Sequence, residues 1–467
     1  MKKYIFKRLY VVIFVLLFSC ESELDQTPIS SVSANGFYKT EGDIKAGVIG
    51  VYSSLQKKGL YEEYLIAIGE EPSDNTFSEV PANDDGMFGE LDEFAIRADN
   101  ALIGKIWRDS YMAIQGANLI LERIVSVNFT SSPEKEHYTG EMQFIRALLY
   151  FNLVRLYGDV PLVTEETTNP NDYFGQGRTS KTKVYSQIEK DLVSAIGLLS
   201  NGLTDGRATR TAAQALLGKV YLTLGKYSAA REQLLNVVNS GKHRLLSDIT
   251  QIFSLDNEYN EEIIFAVKFE EGLNGNTEGS SAHVRFSPST VVSGGKGHNI
   301  PTRELFNAYE AGDTRFTHYV DETPGGVPYS LKIKAAASVS EDGPSDTVVI
   351  RYADIILMLA ECENELNNLT DAANYLNQIR NRAGLANTAA TTQSELRNAI
   401  AAERRFELIG EGHRWFDLLR TGQAISVINA WFTGEGLNIQ IGENDLLMPI
   451  PQSQINTDPA ITQNPGY

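Results

Sequence analysis

The chain has two cysteines in 467 residues, Cys20 and Cys362. A fold of this size cannot be held by one cross-link, so its stability has to come from a packed interior. There is no apolar run of the ~20 residues that a membrane-spanning helix needs. Basic residues are few: 41 Lys and Arg face 60 Asp and Glu, for a net charge of −19. A surface of that sign repels phosphate backbones and disfavours a nucleic-acid partner. With three tryptophans in all, the chain lacks an abundance of indole platforms. His137, His243, His283, His298, His318 and His413 form no close ligand pair, so neither a metal nor a cofactor is expected. Gly-x-Ser-x-Gly, His-Glu-x-x-His and Gly-x-x-x-x-Gly-Lys-Ser/Thr are all missing. Gly294-Gly295-Lys296-Gly297-His298 is glycine-rich but lacks phosphate-loop spacing and a following helix, and reads as a loop. An enzyme is therefore not expected.

What is present begins at the N-terminus. Lys2, Lys3, Lys7 and Arg8 precede an apolar run from Leu9 to Phe18, the pattern of a secretory leader. Leu17-Phe18-Ser19-Cys20 closes it with a cysteine where a mature chain would begin. This resembles a bacterial lipobox, in which Cys20 becomes an acylated (palmitoylated) first residue. The reading is a leader at 1–19 and a polar tether at 20–36. Glu21-Ser22-Glu23-Leu24-Asp25 resembles the acidic signal that sends lipoproteins to the outer leaflet.

The rest is mostly helical in pattern. Apolar residues recur at three- and four-residue steps over 44–55, 107–124, 141–157, 184–199, 212–224, 229–238, 350–366, 372–383 and 396–409. The 141–157 segment is apolar around much of its girth and belongs in the interior. Gly218, Tyr221, Gly225, Tyr227 and Ala230 fall at tetratricopeptide-like spacing, with Gly218 and Ala230 small enough for close helix approach and Gly225 at the turn. Ala360, Leu366, Ala372, Leu376 and Ile379 repeat this more loosely. The predicted class is mainly α: a single large domain on tetratricopeptide-like helix pairs, with long irregular loops and a few short strands, among them 263–267 and 329–333. Residues 69–99 and 251–348 are the irregular stretches. Cys362 lies on an apolar helical face and reads as a small core residue. Glu403 to Arg420 is dense in charge, with Arg404 and Glu407, and Arg414 and Asp417, three residues apart. An acid–base pair of His413 and Asp417 is weighed there against a packed structural network, and the network is favoured.

Arg146-Ala147-Leu148-Leu149-Tyr150-Phe151-Asn152-Leu153-Val154-Arg155-Leu156-Tyr157-Gly158-Asp159-Val160-Pro161-Leu162 resembles the signature helix of the SusD/RagB family of surface nutrient-binding lipoproteins. Further similar segments follow in order: Leu24-Asp25 and Pro28, Phe37, Thr40 and 46–52, Ser73-Asp74-Asn75, Arg207-Ala208-Thr209, and 350–354. Then come Glu403 to Leu408, Glu411 to Arg420, Met448-Pro449-Ile450-Pro451 and Asn464-Pro465-Gly466-Tyr467. Cys362 stands where the family usually has Ala. The resemblance implies an N-terminal helical part at 37–250 and a C-terminal part at 251–467 that includes the irregular insertion 251–348. It also implies a lipid-anchored outer-membrane protein facing the exterior. Such a protein binds an oligomeric nutrient, a glycan before a peptide, for a SusC-like TonB-dependent transporter. A lipid-anchored hydrolase and a helical adaptor are the alternatives.

Ligand contacts are expected on the loop surface made by 69–99 and 270–300. The candidates are Asp74, Asn75, Phe77, Asn83, Phe88, Arg285, Phe286 and His298, flat apolar faces beside directed hydrogen-bonding groups. Tyr61 and Tyr64 border the same stretches, and Trp431 is the fallback. The lipobox generates the first prediction. Replacing Cys20 by Ala should block processing or release the protein from membranes, read by fractionation and intact mass. A processed variant still in the membrane pellet would refute the anchor.

Overall fold

The computed structural model describes residues 38–169, 171–202, 206–272, 278–333 and 341–467. The leader, Cys20, the tether and Phe37 lie outside the described residues. Among the described residues, no helix is long and apolar enough to cross a membrane.

The fold is mainly α, as the periodicity predicts. Glu41–Leu55 opens with a capping box at Thr40, whose hydroxyl accepts from Asp43 N–H while the Asp43 carboxylate accepts from Thr40 N–H. Ala101–Arg123 is capped by the Asn100 side chain, which accepts from the Leu102 and Ile103 N–H groups. Ser132–Tyr157 begins earlier than predicted because Pro133 sits in its first turn, where a missing N–H leaves no bond unmade. From Tyr138 to Tyr157 it is buried on nearly every side.

Consecutive helices pack side by side. Ala101–Arg123 lies on Ser132–Tyr157, then Lys181–Leu198, Arg210–Thr223 and Tyr227–Asn239 follow. The next helix in space is Tyr352–Glu365, followed by Leu369–Arg382, with Gln393–Glu407 against both. The two tetratricopeptide-like pairs, far apart in sequence, are therefore stacked neighbours, and the irregular middle loops out between them. Gly218 makes the first pair possible: a Cβ there would meet Leu234 Cδ2 at 2.7 Å. Gly225 makes its turn at φ 67°.

Among the described residues there are six short strands: Thr76–Phe77 (β1), Ile263–Val267 (β2), Ile300–Pro301 (β3), Val320–Glu322 (β4), Pro328–Ser330 (β5) and Thr347–Arg351 (β6). They pair antiparallel as β1 with β3, β2 with β6 and β4 with β5. The strand expected at 329–333 stops at Ser330. Lys332 turns inward instead, its ammonium donating to the Glu407 carbonyl at 2.8 Å and the Glu411 carboxylate at 2.6 Å. The start of the helix expected at 350–366 is similarly taken by β6. One apolar cluster runs from Ile44 to Ile461, so the N- and C-terminal parts share an interior. Cys362 is fully buried in it, and burial pushes its thiol pKa up.

The charges of 403–420 form a buried network, but not through the intrahelical spacings. Glu407 is enclosed by Arg315, Arg351 and Arg382. Burial opposes its ionisation, and the three guanidiniums with Lys332 outweigh that and hold it well below the carboxylate range. Arg404 reaches Asp354 and Asp417, each at 2.8 Å, rather than Glu407. Arg414 reaches Asp74 at 2.7 Å rather than Asp417. His413 Nδ1 sits 3.0 Å from Lys219 Nζ, and burial together with that ammonium pushes its pKa down to about 3. It is therefore a neutral packing residue at physiological pH, not half of an acid–base pair.

Asp417 provides the test. Against its burial, Arg404 and Arg420 hold its pKa low, so its contribution is present above the ordinary carboxylate pKa and lost as pH falls through the folded value. Asp417→Ala should cost up to roughly 3–5 kcal/mol near neutral pH by removing the carboxylate shared by two buried guanidiniums, which keep only Asp354 and Glu361. The gap to wild type should close in acid. Chemical denaturation at two pH values checks both; an equally stable variant would show the network is not structural.

Candidate functional site

The two irregular stretches meet. β1 pairs with β3, Glu79 N–H donates to the Gly297 carbonyl at 2.8 Å, and Asn83 Nδ2 donates to the Lys296 carbonyl at 3.1 Å. Between them the chain makes a tight loop in which Asp84, Asp85 and Gly86 all have positive φ, at 51°, 58° and 78°. Two consecutive non-glycine residues in that region are strained, and such strain persists only where surrounding contacts fix it. Here the Asp84 carboxylate takes two hydrogen bonds from Arg285, at 2.8 and 2.9 Å, and lies 2.8 Å from His298 Nε2. Arg285 also reaches Glu341 at 3.1 Å. The result is a polar rim of Asn83, Asp84, Lys296 and Glu341 around a largely enclosed guanidinium.

The structure separates the predicted site residues into two groups. Phe77 is half-buried on β1, Asn83 is half-buried on the loop, and Arg285 lies at the centre of the rim. The other five, expected as ligand contacts, are buried in the chain. Phe88 is fully buried, stacked on His298 with centroids 3.9 Å apart and edge-on to Tyr64. His298 is also fully buried, and burial keeps its pKa below the ordinary value. Phe286 belongs to the apolar core. Asp74 receives the Arg414 guanidinium at 2.7 and 2.9 Å, and Asn75 bridges Glu70 and Arg405. Tyr61 and Tyr64 are buried as well, and Trp431 packs against Phe432. Aromatic residues in irregular segments are drawn inward here because the loops need an apolar anchor of their own.

Sequence reasoning missed Asp84, although the turn-forming run Asp84-Asp85-Gly86 was the available signal. It also missed a group of enclosed acids behind the rim. Ser78 N–H donates to Asp92 at 3.0 Å and its hydroxyl to Glu71 at 3.1 Å, while Asn299 N–H donates to Glu71 at 2.6 Å. Glu71 Oε2 and Asp92 Oδ1 are buried with no hydrogen-bond partner among the described residues. Burial pushes Asp92 up to about 8, and burial plus the Asp92 charge pushes Glu71 well above its usual range. Ser78 Oγ, His298 and Asp84 form a chain with links of 2.9 and 2.8 Å, the order of a hydrolase triad. Its geometry does not serve that chemistry. The serine hydroxyl is buried and donates to Glu71, and the imidazole is covered by Phe88.

Residues 317–467 match the family model described as SusD family, and residues 25–222 match one described as "Starch-binding associating with outer membrane". SusD-like protein P25 of Formosa agariphila is 27% identical over 98% of this chain and 98% of its own. A solved laminarin binding SusD-like protein is 28% identical and superposes with a TM-score of 0.80, covering 92% of this chain and 100% of that one. The starch-binding protein SusD of Bacteroides thetaiotaomicron is 24% identical over 70% of this chain and 72% of its own. The two models between them span most of the chain, and with these relatives they make it SusD-like along nearly its whole length; SusD-like proteins bind substrates and are not enzymes.

The enclosed acids give a pH prediction of opposite sign to Asp417. A carboxyl whose folded pKa is raised favours folding below its ordinary pKa, and that advantage is lost as pH rises through the folded value. For Asp92 the window runs from its ordinary 3.8 to about 8. The melting temperature should therefore fall across that window in part because of these acids. Glu71→Gln with Asp92→Asn should flatten the fall, measured by calorimetry. An unchanged slope would refute the assignment.

Proposed function

We propose that this protein is an outer-leaflet lipoprotein, anchored through acyl groups on Cys20, that captures a neutral glycan and passes it to a SusC-like TonB-dependent transporter. The observation that carries the reading is the rim around Arg285. Two irregular stretches are clamped together there and hung on an ion-paired helical stack, presenting amide, carboxylate and guanidinium groups held by hydrogen bonds. Fixed donors and acceptors beside a partly exposed ring suit a polyhydroxylated chain, whose hydroxyls both give and accept hydrogen bonds. The strongly acidic surface suits a neutral ligand over an anionic one. The relatives named for starch and laminarin, both polysaccharides, support the ligand class. The outer-membrane description of the N-terminal match supports the location. A single acyl chain binds membranes marginally, so a stable anchor requires more than one.

Within this reading, Phe77, Asn83 and Arg285 are the contacts, and Phe88, Phe286, His298, Asp74 and Asn75 hold them in place. Calorimetric titration with laminarin- and starch-derived oligosaccharides tests it. Phe77→Ala and Asn83→Ala should each weaken binding by about 1–2 kcal/mol with little change in stability. Phe88→Ala should instead lower stability by about 3–5 kcal/mol. Unchanged affinity in both contact variants would move the site elsewhere. Co-purification with an outer-membrane barrel from the native host tests the transfer partner.

A further inference from the structure

Away from the rim, a cavity of ≈360 Å³ opens against the outer side of β2, between that strand, the start of the Arg210–Thr223 helix and the 258–260 turn. A register shift between Ile263 and Phe265 breaks the regular alternation of β2, and Ile264, Phe265 and Ala266 all border the hollow. Tyr259 stands at its edge with 54% of its surface exposed, unusual for so large a ring. The cations at its margin are already paired. Lys268 bonds Asp346, reaches Glu258 at 3.1 Å, and lies 3.8 Å from the Tyr259 ring centroid. Arg207 is paired with Glu141.

We infer that this cavity is a second ligand site, taking one or two rings of a neutral sugar. The chemistry selects the class. With Lys268 and Arg207 already paired to carboxylates, an anionic ligand finds no uncompensated cation. An apolar strand floor and an exposed aromatic edge offer a flat surface to the C–H face of a sugar ring. The Glu258 and Asp346 carboxylates offer acceptors to its hydroxyls. The volume lies at the lower end of the ~300–1,000 Å³ typical of small-ligand pockets, which limits the occupant to a short unit. The choice of a sugar rests on the glycan reading above, whereas the location does not.

The test is calorimetry with maltose and laminaribiose on wild type, Tyr259→Ala, Tyr259→Phe and Asn83→Ala, alongside longer oligosaccharides of the same linkages. Tyr259 is exposed, so its variants should fold. Tyr259→Ala should weaken disaccharide binding roughly tenfold at one site. Tyr259→Phe should retain that site, and Asn83→Ala should leave it unchanged. Disaccharide binding insensitive to Tyr259→Ala, or binding of long chains without any disaccharide, overturns the second site and leaves the glycan reading intact. No binding of any saccharide overturns both.

Discussion

Glu407 is a carboxylate at the centre of the molecule, shut away from water and shared by three guanidiniums that arrive from three different parts of the chain. Arg315 comes from the irregular middle, Arg351 from the end of β6 and Arg382 from the end of a repeat helix. Glu262, just before β2, takes Arg351 and Arg382 in turn, and Glu411 takes Arg351 and Lys332. A charge buried this deeply is tolerable only when its partners are in place, so the network fixes where each segment must lie. Beside it, Asp354 joins Lys219 of the first helix pair to Arg404 beyond the second. The stacking of the two pairs is thus both apolar and ionic.

The loop surface depends on that centre. Gly412 and His413 N–H groups donate to Glu70, Arg414 grips Asp74 and Arg405 grips Asn75. Trp415 N–H donates to the Gly69 carbonyl. The segment leading into the rim is therefore fastened at its root to the same stretch that carries the ion network. This makes sense of why Ser73-Asp74-Asn75 and Glu411 to Arg420 occur together in one chain: they are the two halves of one contact.

Helix positions, the Gly218 close approach and the Gly225 turn were legible in the sequence because they rest on local periodicity and backbone sterics. The partners of Arg404, Glu407 and Arg414 were not. A charged residue three positions away is a permissible partner, but a distant one that is also desolvated binds more strongly, and sequence spacing is silent about burial. The same limit applies to the site. That the 69–99 stretch meets the described residues of 278–300 could be read from their irregularity. Which aromatics face outward could not, because Phe77 and Phe88 differ only in which side of a short loop they occupy. Asp84 was hidden by its ordinariness, and its role follows from a backbone conformation that composition does not reveal.

The excursion between the Tyr227–Asn239 and Tyr352–Glu365 helices has a consequence for how such a chain can change over generations. Those two helices pack against one another, so the excursion leaves and returns at neighbouring points. The entropy of closing a flexible loop grows only with the logarithm of its length, about 0.6 kcal/mol per doubling. Residues can be gained or lost there at small cost while the helices on either side keep their contacts, provided Glu262, Arg315, Lys332 and Arg351 still reach the centre. The architecture behaves as a fixed frame with an exchangeable cassette, whose length can change without refolding the rest.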